Sequence, residues 1–373
     1  MAPFLSEVFG NPSGGHASAR AAKAAVEEAR ERVAAAMGAR PHEVVFTGSG
    51  TEADNLAVKG AARASRRAGT GDGVVITAIE HKAVLASADR LRTEGFRVSR
   101  VGVDPTGVVD LDALAGALDE STVMVSVMLV NNEIGTIQPL SDVARLVRDR
   151  APRAVLHTDA VQAVPWIDVV AEVADADLVA ISAHKIGGPK GVGALVVRGG
   201  VVVEPMIEGG GQEEERRSGT TNVAGVVGLA AALDVTVATR SETVERVRVL
   251  RDRLRAGLHG AVPDLFENGD PGRKVAGNLH VGFPGVEAET LLVLLDRAGV
   301  DAASGSSCAS GATDVSHVLT AMGLSHDAAA ASIRCSLGSS STDADVDLAL
   351  EVIPAAVGQL RSATHTSAAG RVA

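Results

Sequence analysis

Short runs of aliphatic residues alternate along the first two thirds of the chain with longer stretches in which apolar and charged positions follow a helical period. Residues 18–37, SARAAKAAVEEARERVAAAM, hold good helix formers with charges to one side and Gly38 just past the end, which predicts a helix. HEVVFTGSG predicts a strand running into a glycine turn, and TEADNLAVKGAARASRRAG a helix after it. GVVITAIEH (73–81) is the next apolar strand and precedes a helix near 82–94. FRVSRVGVD and TVMVSVMLVNNEIG bracket a helix at 111–118; AVLHTDAVQA and DLVAISAHK are further strands, ending at Asp159 and Lys185. Strands and helices alternating at this spacing predict an α/β fold, a mostly parallel sheet with helices on both faces. Ligands of such sheets bind beyond the carboxyl ends of the strands. His81, Asn132, Asp159 and Lys185 each follow a hydrophobic run, so four polar residues are expected to converge on one crevice.

A helical stretch at about 225–260 is apolar first and rich in Arg and Glu later. It reads as the bridge from a large domain, 1–240, to a small α+β domain, 241–362. The polar tail 363–373, ATHTSAAGRVA, is expected to be disordered. The 373 residues contain 46% hydrophobic positions but only 2% aromatic ones, so the core is built from small aliphatics. No apolar run is expected to reach the roughly 20 residues that span a bilayer. The formal charge of −11 speaks against nucleic acid or an anionic membrane as main ligand. Two cysteines, Cys308 and Cys335, form neither a disulfide framework nor a structural zinc pattern, and a reducing cytoplasm is expected. No metal site is expected.

The candidate chemistry centres on SAHKIGGPKGVGALVV (182–197). Lys185 follows a buried strand, where burial lowers an amine's pKa and a neutral amine attacks carbonyls. The small residues after it let a flat ring and a phosphate approach the backbone, which suggests pyridoxal phosphate (PLP). A surface lysine in a glycine-rich turn is the plainer alternative. The turn GSGTEADN (48–55) offers free N–H groups at a helix start, suited to a phosphate; the alternative is a capped helix, with Thr51 and Asp54 only as caps. Asp159 beside a pyridine nitrogen would keep it protonated; otherwise it caps the next helix. Gln162 is placed to reach the ring's phenolic oxygen. His81 either stacks on the ring or is an ordinary structural histidine. In the loop 209–222, Ser218 and Thr220 offer donors to a phosphate, or the loop is simply solvated. Cys308 lies in ASGSSCASGATDVSH (303–317), where small residues flank a thiol on both sides. Such a thiol can travel, and its thiolate, which from an ordinary pKa of about 8.5 grows toward alkaline pH, would be a strong nucleophile. An incidental exposed cysteine is the alternative. Cys335, in ASIRCSLG, reads as a strand core residue, and Arg334 beside it forks onto a substrate carboxylate or makes a surface ion pair.

Taken together, FTGSGTEADNLAVKG, VNNEIGTIQP, HTDAVQA, HKIGGPKGVGAL, GGGQ…RSGT and SGSSCASG…SHVLTAMG resemble the NifS/IscS-type cysteine desulfurases, over about residues 9–341 and in the family's order. The resemblance implies a fold type I PLP-transferase of the class V aminotransferase family, long-loop subgroup, acting as a homodimer. It implies Lys185 as the Schiff-base lysine, His81 as the ring-stacking residue, and Asp159 and Gln162 at the ring nitrogen and oxygen. Gly50, Thr51, Ser182 and His184 would hold the phosphate, with Thr220 from the partner subunit. Asn132 and Arg334 would bind the carboxylate of L-cysteine, Lys185 and His184 would carry protons, and Cys308 would take the sulfur as a persulfide for an acceptor protein. That acceptor would serve iron–sulfur assembly, tRNA thiolation, DNA phosphorothioation or a thio-metabolite. A selenocysteine lyase or other PLP β-eliminase, and a catalytically weak scaffold, stay open as alternatives. Two departures stand out. Family members usually carry a strand and turn resembling YLDNAATT before the segment at residues 4–13, with which this chain opens. Glu214 and Glu215 stand where the family commonly has Arg and Gly.

Overall fold

The computed structural model describes residues 1–305 and 315–369. The chain divides into two compact units. The first comprises Met1–Val101, Val109–Val130 and Gln138–Arg240, and the second Gly102–Val108, Asn131–Ile137 and Ser241–Ala373. The second unit thus takes two short segments from within the first 240 residues.

In the first unit, strands β1 (Val44–Thr47), β2 (Gly73–Thr77), β3 (Arg97–Val101), β4 (Thr122–Ser126), β5 (Val155–Asp159), β6 (Leu178–Ser182) and β7 (Gly193–Val197) form one sheet of order β1-β7-β6-β5-β4-β2-β3. The run from β6 through β5, β4 and β2 to β3 is parallel, and β7 lies antiparallel to both of its neighbours. β2, β4 and β6 are buried at every position, as unbroken aliphatic runs require when both faces are covered. Val74, Ile76, Val123, Met124, Leu178, Ala180 and Leu195 from the sheet pack with Leu56, Ala57, Ala61, Val84, Ala88 and Leu91 from the helices. Each fully buried Leu, Ile or Val contributes about 1.5–3 kcal/mol. The helices fall close to the expected places, at Ala17–Ala36, Lys82–Thr93 and Leu111–Ala117. Residues 50–67 form a helical run with one π turn, Leu56–Gly60, inside it.

The long helix is Val223–Ala261. Contrary to the expectation that nothing in the chain is apolar enough to span a bilayer, this helix contains a stretch that is, by length and composition. Its Val226, Leu229, Ala230 and Leu233 are buried at i, i+3, i+4 and i+7, the stripe of a helix packed on a core.

The second unit holds a sheet of order β10-β11-β9-β8 among the described residues: β8 (Phe266–Glu267), β9 (Asn278–Gly282), β10 (Ala303–Ser304) and β11 (Ser332–Ser336). The final helix, Asp343–Ala369, runs into the segment expected to be disordered; residues 370–373 lie outside the described ones. His280 of β9 is fully buried and bonded through Nδ1 to the Asn268 side chain at 3.0 Å. Burial pushes its pKa down from 6.5 to about 3. A depressed histidine contributes stability that is complete above the unfolded pKa of 6.5 and is lost as pH falls toward 3. At pH 5 the loss is about 2 kcal/mol. Glu267, held below its ordinary pKa chiefly by the Lys274 ammonium against its burial, loses stability in the same direction at lower pH. In the first unit His157 of β5 is depressed in the same way, from 6.5 to about 3, but Glu80, pushed up to about 7 by burial, offsets that loss, since its destabilisation fades as pH falls from 7 to 4.5. Hydrogen-exchange protection factors, taken relative to intrinsic exchange at each pH, are therefore expected to fall between pH 7 and 5 more in β9 and β11 than in β4 and β6. An equal fall in both sheets would contradict this.

Candidate active site

β5 and β6 end side by side, and their ends carry the chemistry. Asp159 is the last residue of β5 and is buried. Its Oδ1 accepts from Val161 N–H at 2.9 Å, so it caps the turn that carries Gln162, which is half-buried. Burial raises the Asp159 pKa, while the Val161 N–H and the nearby His81 and Lys185 pull it down. His81 stands four residues beyond β2, where it caps the helix Lys82–Thr93: its Nδ1 accepts from Ala83 N–H at 3.1 Å. Ligand atoms of Asp54, His81 and Asp159 lie within 4.8 Å of one another, a spacing a metal ion could use. The chemistry of His81 speaks against that. With Nδ1 accepting, the ring proton sits on Nε2 and makes that edge a donor.

Lys185 corrects the sequence expectation. β6 is buried, but it stops at Ser182, and the turn Ala183–Ile186 carries His184 and Lys185 outward, so both are exposed in the single chain. Ser182 Oγ lies 2.8 Å from His184 Nδ1, and partial burial with the charges of Lys185 and Lys190 lowers the His184 pKa.

Gly50 opens the helical run and is buried against the same strand end. A Cβ on it would lie 3.0 Å from Val161 Cγ2 and 3.1 Å from Ser182 Cβ. Ser49 is the cap of this helix, its side chain accepting from Glu52 N–H at 3.1 Å. Thr51 is exposed, while Asp54, read as a possible cap, is buried to 1% exposure and does not cap. The structure thus brings Gly50, His81, Asp159, Ser182 and Lys185 to one end of the first sheet. Thr220 is exposed beside Gly48, Arg217 and Asn222 around a small cavity, and Ser218 is buried with Oγ accepting from Gly211 N–H. Arg217 grips Glu52 at 2.7 Å, and Glu52 in turn accepts from Gly48 N–H at 2.7 Å.

Two buried positions, Glu80 and His157, carry no signal in the sequence, and a third, Asp54, was read only as a cap. Asp54, Glu80 and His157 are all buried around Asp159. Asp54 precedes Ala57, Val58 and Ala61 at i+3, i+4 and i+7, so its place on the apolar face of the helix was the available signal.

In the second unit, Arg334 of β11 donates from Nη1 to the Asn132 carbonyl at 2.8 Å, and its Nε is buried without a hydrogen-bond partner. Arg334 and Asn132 are therefore together, with one guanidinium edge still to be satisfied. Cys335 faces the core beside Leu279, and burial pushes its pKa up to about 12. Cys308 lies outside the described residues.

Residues 1–349 match the family model of aminotransferase class V. The chain belongs to the class-V aminotransferase family. Within this family it is 42% identical over 363 residues to the cysteine desulfurase IscS of Clostridium botulinum strain Hall, covering 97% of this chain and 90% of that one. It is 41% identical over 362 residues to the cysteine desulfurase IscS of Methanosarcina thermophila, covering 97% and 88%. The solved structure of a NifS-like protein superposes with a TM-score of 0.89 at 37% identity, covering 96% of this chain and 94% of that one. The sheet order and the class-V family agree with the fold type I PLP-transferase expected from the motifs.

The donor set fits PLP. A buried carboxyl with one backbone donor stands where a pyridinium would complete it, a histidine with an N–H edge lies beside it, and a lysine follows on the next strand's turn. Gly50 and Ser182 form a floor that any Cβ at Gly50 would crowd.

Proposed function

We propose that this chain is a PLP-dependent L-cysteine desulfurase, which converts L-cysteine to alanine and passes the sulfur through a persulfide on Cys308 to an acceptor protein. The observation that carries the reading is the buried Asp159 at the end of β5, with His81 beside it and Lys185 on the turn after β6. The bound cofactor supplies an electron sink for the pair left when a proton leaves the substrate's Cα. Lys185 holds the cofactor through Nζ and then carries that proton, with His184 as the second carrier. Asp159 keeps the ring nitrogen protonated, Gln162 reaches the ring oxygen and His81 covers the ring face. Gly50, Thr51, Ser182 and His184 hold the phosphate, with Thr220 supplied by the second subunit of a homodimer. Asn132 and Arg334 bind the substrate carboxylate, for which the unpartnered Nε of Arg334 is the supporting observation.

In the sulfur step the Cys308 thiolate attacks the substrate sulfur. An S–S bond forms, the C–S bond breaks, Cβ takes up a proton, and alanine leaves. Such a persulfide survives in a reducing cytoplasm only if its acceptor is near, which places the enzyme with a sulfur-accepting protein.

The test is alanine release from L-cysteine by the PLP-loaded protein. Cys308→Ala is expected to keep the cofactor's visible absorption while alanine release falls at least about tenfold, the loss of an activated nucleophile. Undiminished alanine release would show that the sulfur leaves to a nucleophile other than Cys308, and pyruvate in place of alanine would replace this reading with a β-elimination that needs no protein thiol.

A further inference from the structure

Behind Asp159 lies a second tier of polar groups that the roles above leave unused. Asp54 is 1% exposed, and His157, two residues before Asp159 on β5, is 0% exposed. Asp54 Oδ1 and His157 Nε2 lie 3.5 Å apart, and neither has a hydrogen-bond partner. On the other edge of the imidazole, Nδ1 lies 2.9 Å from Ser126 Oγ of β4. An unsatisfied buried polar atom is costly, so two of them facing each other at this distance are driven to pair.

The remaining question is where the proton sits. Asp54 faces two other buried carboxyl groups, Asp159 and Glu80. Asp159 has the Val161 N–H and the charge of Lys185 to stabilise an anion. Glu80 has the Thr77 hydroxyl at 2.8 Å and the Met128 N–H at 2.9 Å. The Asp54 Oδ1 that faces His157 has no such donor. Like charges crowded into one dry site cannot all ionise, and the group with least support keeps its proton. Burial and the two acids hold the Asp54 carboxyl well above its usual range, and burial holds His157 neutral, down to about 3. Within reach of an Asp54 hydroxyl, a neutral imidazole nitrogen is the best acceptor.

We propose that Asp54 and His157 are positioning residues: Asp54 O–H donates to His157 Nε2, His157 Nδ1–H donates to Ser126 Oγ, and this uncharged chain leaves the pocket's negative charge on Asp159. The proposal rests on the reading that Asp159 faces the cofactor's ring nitrogen. An ionised Asp54, with its oxygen within 4.8 Å of Asp159, would compete for that role.

Asp54→Asn keeps an N–H donor for His157 and adds no charge. It is therefore expected to bind PLP within about threefold of the wild type, and to leave unmoved the pH midpoint at which the bound cofactor's absorption changes. Asp54→Leu removes the donor and is expected to weaken PLP binding about tenfold, the loss of one buried hydrogen bond. On cofactor-free protein at pH 7, the infrared difference between wild type and Asp54→Asn should show the loss of a protonated carboxylic acid, and nitrogen NMR should place the His157 proton on Nδ1. Loss of a carboxylate band instead, a proton on Nε2, or a midpoint moved by more than about one pH unit in Asp54→Asn, worth a charge felt at Asp159, overturns the proposal. Failure of the wild type to bind PLP would overturn the functional reading, and the cofactor-free spectra would still decide the state of Asp54.

Discussion

Lys185→Ala is expected to lower alanine release from L-cysteine by about a thousandfold or more, since it removes both the covalent hold on the cofactor and the nearest proton carrier. The fold should scarcely notice. Lys185 is exposed on a short turn, and surface substitutions away from buried networks stay within about 0.5 kcal/mol. The variant should therefore unfold in urea at the wild-type midpoint while losing the absorption that depends on the lysine link. That combination separates a chemical role from a structural one. Retention of more than a tenth of the wild-type turnover, with PLP bound, would remove Lys185 from the mechanism.

The largest expected effect on stability falls at Glu213. This acid grips Arg30 with both oxygens, at 2.8 and 2.9 Å, and also accepts from Phe46 N–H of β1 at 2.9 Å. Arg30 lies over the Phe46 ring, 4.8 Å from its centre, and bonds the Val44 carbonyl at 2.6 Å. Both side chains are nearly buried. Glu213→Ala would leave the guanidinium with only the exposed Glu27, at 3.3 Å, and the Phe46 amide without an acceptor, a loss of about 3 kcal/mol. Glu213→Gln, which keeps an acceptor but not the charge, should lie between. Urea unfolding midpoints give the ranking, and a cost below about 1 kcal/mol for Glu213→Ala would show that water replaces the pair. The backbone at this place is itself strained. Glu213, Glu214 and Glu215 all have φ between 51° and 63°, a left-handed stretch that non-glycine residues avoid. The Arg30 pair is the interaction large enough to hold it. The acids that depart from the family pattern, Glu214 and Glu215, are exposed, and Glu214 meets Arg216 at 3.3 Å.

The parallel sheet was legible because its strands are continuous aliphatic runs, and Asp159 was legible because one acid interrupts such a run at its end. Lys185 was legible as the lysine that follows β6, but its exposure in the single chain, set by the turn Ala183–Ile186, was not. Asp54 was read as a helix cap because it lies near a glycine turn, although Ser49 does the capping and Asp54 turns inward with the apolar stripe. Glu80 and His157 escaped notice because each sits next to a more conspicuous residue, His81 and Asp159, and their importance comes from tertiary burial. Neither the pairing of Glu213 with Arg30, 183 residues away, nor its left-handed backbone can be read from local pattern.

The interior position of Cys335 has a practical corollary. With that sulfhydryl sealed in β11 and silent at any physiological acidity, an alkylating reagent applied to the native chain has at most one other thiol to find. One mass increment on the intact polypeptide then reports occupancy at residue 308 directly, without peptide mapping and without a cysteine-free background.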